Sequence, residues 1–186
     1  MYRSPVKTHA AAFCLGIWVM GTVCISIVAM QNFYTIDRLL DGPSHPEFAA
    51  FVDSAGREEA RNVLRYLSSE LNRLFFQLWN LAQLGLGGAV LWLVWELRSP
   101  AGGRLRWTVA AMLAVVVILT VGITPQILAI GRSIDFVPRD PPPPAVATFG
   151  VLHAAYTLLE LAKCGAGVAA ALWLGRSMSA GRHRVQ

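Results

Sequence analysis

Charge is the first thing this 186-residue chain lacks: Asp, Glu, Lys and Arg make up 15% of it, against about a quarter of an average soluble domain. Histidine is sparse, with four residues at positions 9, 45, 153 and 183, and there are three cysteines. Cys14, Cys24 and Cys164 stand inside apolar segments with no pairing or metal-ligand spacing. That excludes a disulfide framework or zinc cluster and leaves them as small buried hydrophobes. No Ser-His-Asp order, zinc motif or phosphate loop is present, so the chain is not expected to be an enzyme. A bis-histidine haem is excluded within one chain, because His9 and His153 fall near opposite ends of the apolar segments.

What is there is apolar sequence. Hydrophobic residues make up 55% of the chain and the mean hydropathy is +0.49. Four runs, at about 10–30, 74–97, 107–130 and 147–175, are each long enough at ~1.5 Å per residue to cross a ~30 Å hydrocarbon layer. The expected fold is all-α: an integral membrane antiparallel four-helix bundle, one membrane domain over residues 1–186, with membrane lipid as its main solvent. Arg3 and Lys7 before the first run resemble a secretory leader. The run is longer than a leader's apolar core, however, and it ends in Met30-Gln31-Asn32 without a small-x-small cleavage site, so it reads as a retained anchor.

The net charge of +5 carries information through its placement. With four spans, the N-tail, the loop from Arg98 to Arg106 and the C-tail share one side. They hold Arg3, Lys7, Arg98, Arg104, Arg106, Arg176, Arg182 and Arg184 with no acid between the span ends. On the other side the arginines are diluted over longer loops and balanced by acids from Asp37 to Asp140. Lys/Arg density in short loops sets orientation, so both termini are expected in the cytoplasm, in a bacterial inner membrane. Trp92, Trp95, Trp107 and Trp173 fall near the cytoplasmic ends of their spans, as an interfacial belt requires. The pI of 9.6 is thus a topology signal, and no nucleic-acid partner is expected.

Two loops remain outside. In the first, over 31–73, Phe33, Tyr34, Ile36, Leu39 and Leu40 suit the membrane interface, and Gly42-Pro43 breaks the segment. Ser44 and Glu47 have capping-box spacing for a short helix to about Asp53. After Gly56, the residues Val63, Leu64, Leu67, Leu71 and Leu74 recur at helical spacing, which predicts a helical extension of the second span back to about Arg57. That stripe has no obvious cover in this chain and invites a partner. The second loop, over 131–146, contains Pro141 to Pro144, a stiff extended arm.

Polar residues inside a membrane are costly and so informative. In the fourth span His153, Tyr156, Thr157, Glu160, Lys163 and Cys164 are spaced to share a helical face, and Glu160 and Lys163 are three residues apart, near mid-membrane. The second span offers Gln77, Asn80 and Gln83. In the third, Thr124-Pro125-Gln126 should open the helix and free a carbonyl. The intramembrane polar face is therefore Gln77, Asn80, Thr124, Gln126, His153, Thr157, Glu160 and Lys163, and its upper residues share a depth where an outer-leaflet pocket is expected. Gly85, Gly87, Gly88, Gly165 and Gly167 offer small surfaces for close helix approach. No metal site and no cofactor is expected; the one arrangement the residues allow is a haem or chlorophyll with His153 as single axial ligand.

The segment Phe149-Gly150-Val151-Leu152-His153 with Glu160 seven positions on resembles the last span of the transmembrane protein 205-like family of four-span proteins. Thr124-Pro125 with Arg132, Trp18 and Gly21, and Phe75-Phe76 fit that family's layout more loosely. Asparagine where this chain has Glu160, arginine where it has Gln126, and the lack of a four-proline run are the family's differences. The resemblance implies the span order and carries no activity. The function expected is a non-catalytic accessory or scaffold subunit of a larger bacterial membrane complex, with larger membrane subunits as partners and an energy-transducing complex as one candidate host. Alternatives are a small transporter or permeation protein using the polar face, and a pigment or haem subunit.

Topology is directly measurable. In a functional variant with its native cysteines removed, Pro142→Cys should react with an impermeant thiol reagent in whole cells and Arg184→Cys should not. The opposite labelling pattern defeats the assignment.

Overall fold

A computed structural model describes residues 5–42, 45–97, 102–138 and 140–182. Its elements are α1 (Pro5–Asp41), α2 (Pro46–Ala55), α3 (Arg57–Trp95), α4 (Gly102–Ile118), a π turn (Leu119–Ile123), α5 (Thr124–Ser133) and α6 (Pro144–Arg182). There is no strand among the described residues. α4, the π turn and α5 run on as one helix, Gly102–Ser133, so that four helices are long and apolar enough to cross a membrane. The expected spans 10–30, 107–130 and 147–175 each lie within one of them, and the second, 74–97, matches α3 as far as Trp95, two residues short of its expected end.

Two expected loop regions are helical instead. α1 runs from the first span to Asp41, because Gln31 to Asp41 contains neither Gly nor Pro and Phe33, Ile36 and Leu40 follow three-four spacing. The loop expected over 31–73 is thus two helical arms, α1 and the predicted extension of α3 from Arg57, with α2 between them. Pro43 and Ser44 lie outside the described residues. The N-cap of α2 is His45, with no side-chain cap bond, and Pro46 opens the helix. Gly56 turns the chain from α2 into α3 at φ +88°, a conformation that glycine alone adopts without strain. The connection expected over 131–146 shortens at both ends, since α5 continues to Ser133 and α6 begins at Pro144. Proline is tolerated there, in the first turn of a helix.

Packing uses one narrow stripe per helix. α1 buries Ala11, Leu15, Trp18 and Thr22; α4 buries Leu105, Val109, Met112 and Val116; α6 buries Tyr156, Glu160, Lys163, Gly167, Ala170 and Leu174. Alternating steps of three and four residues are the seam of coiled-coil-like packing. α1 lies beside α3 and α6, and α4 beside the same two, so the long helices follow chain order around a ring with antiparallel neighbours. The other faces stay apolar, with Phe13, Leu81, Val121, Leu158 and Leu172 exposed while Asn80, Gln83, Glu160 and Lys163 are buried. That distribution reverses the one water imposes.

One end of the helix assembly, here termed proximal, carries the start of α1 and the end of α6; the opposite, distal end carries α2. The proximal half holds the main apolar cluster, around Leu15, Trp18, Val90, Val94, Val109, Met112 and Leu174. Trp92, Trp95 and Trp107 stand exposed there and Trp173 is half-buried, with Lys7 over Trp92 at 5.8 Å and Arg106 over Trp95 at 5.5 Å. Arg3, Arg98 and Arg184, which supply part of the proximal positive charge in the sequence, lie outside the described residues.

At the distal end Ile36, Leu40 and Ala60, with Phe48, Val52 and Leu64, form a second cluster between the arms and α2. Arg61 pairs with Asp37 at 2.8 Å, and Arg57 pairs with Asp41 and donates to the Leu40 carbonyl at 2.7 Å. The chain therefore covers part of the α3 extension itself, contrary to the expectation of a stripe without cover. Leu64 is covered; Val63, Leu67, Leu71 and Leu74 stay 38–55% exposed.

Of the five glycines expected at close contacts, two are there. A Cβ on Gly87 would sit 2.7 Å from Leu113 and 2.8 Å from the Trp18 ring, and one on Gly167 would sit 2.7 Å from Val19. Gly85, Gly88 and Gly165 face open space, whereas Gly21 receives the Trp79 ring. Cys24 is exposed and Cys14 and Cys164 are partly so, which corrects the expectation of buried thiols. In a narrow-seam assembly most positions of a helix point outward.

Trp18 is fully buried and cannot yield to a methyl group, so Gly87→Ala should lower stability by about 1–3 kcal/mol through overpacking. Gly85→Ala two residues earlier should be neutral or stabilising by up to ~1 kcal/mol from helix propensity. Thermal unfolding of both variants in mild detergent measures the contrast; equal effects sink the packing account.

Candidate functional site

The buried polar side chains follow the seam of α3. Ser68, Asn72, Asn80 and Gln83 are all buried, at steps of three or four residues or two helical turns, so one inner edge of this helix meets polar partners on α1, α5 and α6. They sort into layers along the axis.

The innermost layer surrounds a lysine. Lys163 is 2% exposed, and its ammonium donates to Glu160 Oε2 at 2.6 Å, to Thr22 Oγ1 at 3.4 Å and to Gln83 Oε1, which uses all three of its donors. It also lies 5.9 Å from the centre of the Trp18 ring. Gln83 joins three helices, for its oxygen also accepts from Trp18 Nε1 at 2.9 Å and its amide reaches Glu160 Oε1 at 3.5 Å. Thr22 in turn accepts from Trp79 Nε1 at 3.3 Å. No described buried side-chain nitrogen or oxygen lacks a partner.

The next layer outward joins α3, α5 and α6. Asn80 donates to Thr124 Oγ1 at 2.9 Å and accepts from the Tyr156 hydroxyl at 3.0 Å. The expected opening of the helix at Thr124-Pro125-Gln126 is realised as the π turn just before it, with the Thr124 amide bonded to the Leu119 carbonyl. Proline has no amide to continue the regular ladder, and the wider turn swings the Thr124 hydroxyl to Asn80.

Above it stands a charged collar. Arg73, 8% exposed, bonds Glu70 at 2.5 Å and Asp135 at 2.8 Å, and Arg132 approaches Glu70 at 3.8 Å. Asn72 donates to the Ala29 carbonyl at 2.9 Å and accepts from Asn32 at 2.6 Å, tying α3 to α1. Between α3, α5, α6 and the turn at 134–136 the distal end opens into a groove of about 350 Å³. Thr124, Phe76 and Tyr156 line its inner part together with His153, and Arg65, Tyr66 and Phe136 line it further out.

The expected polar face therefore divides. Asn80, Thr124, Glu160 and Lys163 come together in the interior, and the Glu160–Lys163 pair is direct. Gln77 is exposed on the far side of α3 and belongs to no layer. Gln126 is exposed too, and its amide donates to the Gly122 carbonyl at 2.8 Å, within the disturbed turn. Thr157 points outward and donates its hydroxyl to the His153 carbonyl at 2.9 Å. His153 is exposed, stacks on Phe149 at 5.9 Å and 10°, and borders the groove expected on this side. Trp18, Thr22 and Arg73 join the site without belonging to the polar face expected from sequence. Extending the polar stripe of α3 back through Asn72 to Ser68 was the signal that could have found the collar. Among the described residues no group of three potential ligands is placed to hold a metal ion.

Compared with known protein families, curated proteins and solved structures, the chain matches none. Its function has to be read from its own geometry.

Breaking one half of the buried pair leaves a charge without its counterion. Glu160→Gln should cost about 3–5 kcal/mol, and adding Lys163→Met should recover most of that loss. A thermal-unfolding double-mutant cycle in detergent decides it, and strictly additive losses would mean the two side chains are independent.

Proposed function

We propose that the chain is a multi-pass membrane protein, an antiparallel four-helix bundle with both termini in the cytoplasm of a bacterial cell, and that it serves as a non-catalytic accessory or scaffold subunit of a larger membrane complex. The observation that carries this reading is the exposed stripe Val63, Leu67, Leu71 and Leu74 on α3. The helix from Arg57 to the Arg73 collar extends roughly 24 Å at 1.5 Å per residue. Lipid accounts for Leu71 and Leu74, close to the collar. Val63 and Leu67 stand about 15 and 9 Å further out by the same rise, among Arg57, Glu58, Arg61 and Arg65, and there a partner subunit is the natural cover.

The interior supports a holding role rather than a chemical one, because its polar groups are committed to one another. A transporter is the second reading, since the groove leads toward Glu160. Proximal to Lys163, however, the axis is filled by the cluster around Leu15, Val94, Val109 and Met112, and among the described residues the next buried polar side chain is Thr8, near the start of α1. A haem or chlorophyll on His153 has the least support, because a groove of about 350 Å³ is near the small end of ligand pockets and does not enclose a tetrapyrrole. The four-span family resemblance adds the span order to this reading and nothing about activity.

Native membranes solubilised in mild detergent provide the test. The tagged protein should migrate with larger subunits in fixed stoichiometry, in an assembly several times its own 20.2 kDa. Val63→Glu with Leu67→Glu should release it without altering its unfolding temperature. A homo-oligomer that catalyses solute flux in liposomes, and loses it on Glu160→Gln or His153→Ala, overturns the assignment in favour of transport.

A further inference from the structure

The distal groove has features that scaffolding does not use. We propose that it binds a flat, oxygen-bearing aromatic or quinonoid amphiphile. Its volume of about 350 Å³ falls within the range of small-molecule pockets, and its walls mix apolar surface with a few polar groups, as such pockets do.

The choice of ligand class rests first on rings. Six of the nineteen lining residues are Phe or Tyr, in a chain where aromatic residues are 10% of the total. An acyl chain needs only flexible aliphatic walls, and those residues are fewer here. The rings are also already arranged as partners for a planar group. Phe149 and His153 lie nearly parallel, 10° apart, while Phe76 meets Tyr156 edge-on at 5.5 Å and 72°. Aromatic pairs favour such offset or edge-to-face geometries, and a flat ligand inserts among them more readily than a bulky one.

The second ground is the balance of charge and polarity. Arg65 and Arg73 line the groove against Asp135 as the one carboxylate of the lining, and Asn62, Ser69 and His153 add side chains that both donate and accept. Arg73 is fixed between Glu70 and Asp135 before any ligand arrives. Such a lining prefers carbonyl, phenolate or carboxylate oxygens to cationic groups.

The third ground is the rim. Phe136 holds φ at +55°, a left-handed conformation unusual for a large side chain, and its ring meets Tyr66 at 5.1 Å. This contact links the 134–136 turn to α3, and both residues line the groove. Strain of this kind persists where surrounding structure enforces it, and ligand clamps are a common place for it. This site would exist whether or not the protein belongs to a larger complex.

Calorimetric titration of the whole protein in nanodiscs tests the proposal with three probes: 2-methyl-1,4-naphthoquinone, its 3-prenyl derivative and palmitate, each against empty nanodiscs. Both quinones should bind the protein above the lipid background, and palmitate should not. Affinity should fall about tenfold in His153→Ala and again in Phe136→Ala, the loss expected of one ring contact. Both residues are exposed, and an unchanged unfolding temperature confirms that each variant folds. Tighter binding of the prenylated quinone identifies a membrane-borne ligand, and equal binding a soluble aromatic one; either supports the site. The proposal fails if palmitate binds as well as the quinones, if the quinones bind no better than to empty nanodiscs, or if both variants bind like the parent. None of these outcomes depends on co-purifying subunits.

Discussion

A lysine ammonium on the axis of four apolar helices has to be compensated within the protein, and much of the middle of the molecule is arranged around that need. Lys163 needs three acceptors and a counter-charge, and no one helix can supply them at the required angles. Glu160 comes from its own helix, Gln83 from α3, and Thr22 with the Trp18 face from α1. Meeting that requirement fixes the rotation and axial register of three helices at once. The glycines then set the distances: Gly87 lets Trp18 lie against α3, and Gly167 lets α6 approach Val19 and Met112. Polar matching selects the register, and close packing gives it strength.

Much of this is legible in the sequence because helices long and apolar enough to cross a membrane leave coarse signals. The four apolar runs, the start of α3 near Arg57, the disturbance at Thr124-Pro125 and the Glu160–Lys163 pair each arise from one local rule. Rotation about a helix axis was harder. A step of three residues turns back by about 60° at roughly 100° per residue, so Gln77 and Gln83 differ by about 120° and cannot share a narrow seam. The same arithmetic puts Thr157 about 100° from Tyr156 and sends it outward. The α1 arm is hidden in the sequence for another reason. Phe33, Ile36 and Leu40 fit an interfacial loop as well as a helix, and only the packing of Ile36 and Leu40 with Ala60, Phe48 and Val52 on other segments decides between the two.

The polar layers also impose a direction. From the Arg73 collar the interior passes through the Asn80 amide with its hydroxyl partners and the Lys163 pair, then becomes apolar as far as Leu97 and Leu105. In the proposed membrane setting that is a wet, adaptable end and a dry, anchored one. The apolar half resists slippage through packing, while the tryptophans with Lys7 and Arg106 suit the headgroup region. In the proposed function recognition falls to the distal end, which carries the arms, the charged collar and the groove.

That asymmetry bears on the choice between holding and transporting. A carrier has to break and remake its central contacts to expose a site to each side in turn. Here the central contacts include a buried ion pair whose separation strands a charge, and the proximal seam is closed by Trp18, Val94, Val109 and Met112 at 0–1% exposure. Opening that seam would cost apolar packing and ionic pairing together, and among the described residues Thr8, near the start of α1, is the one buried polar side chain below it. The distal groove needs no such opening to be occupied. The turn at 134–136 and the Tyr66–Phe136 contact belong to the rim of that groove, whereas the Glu160–Lys163 pair is not among its lining residues, so the proposed ligand would leave the register of the paired core intact.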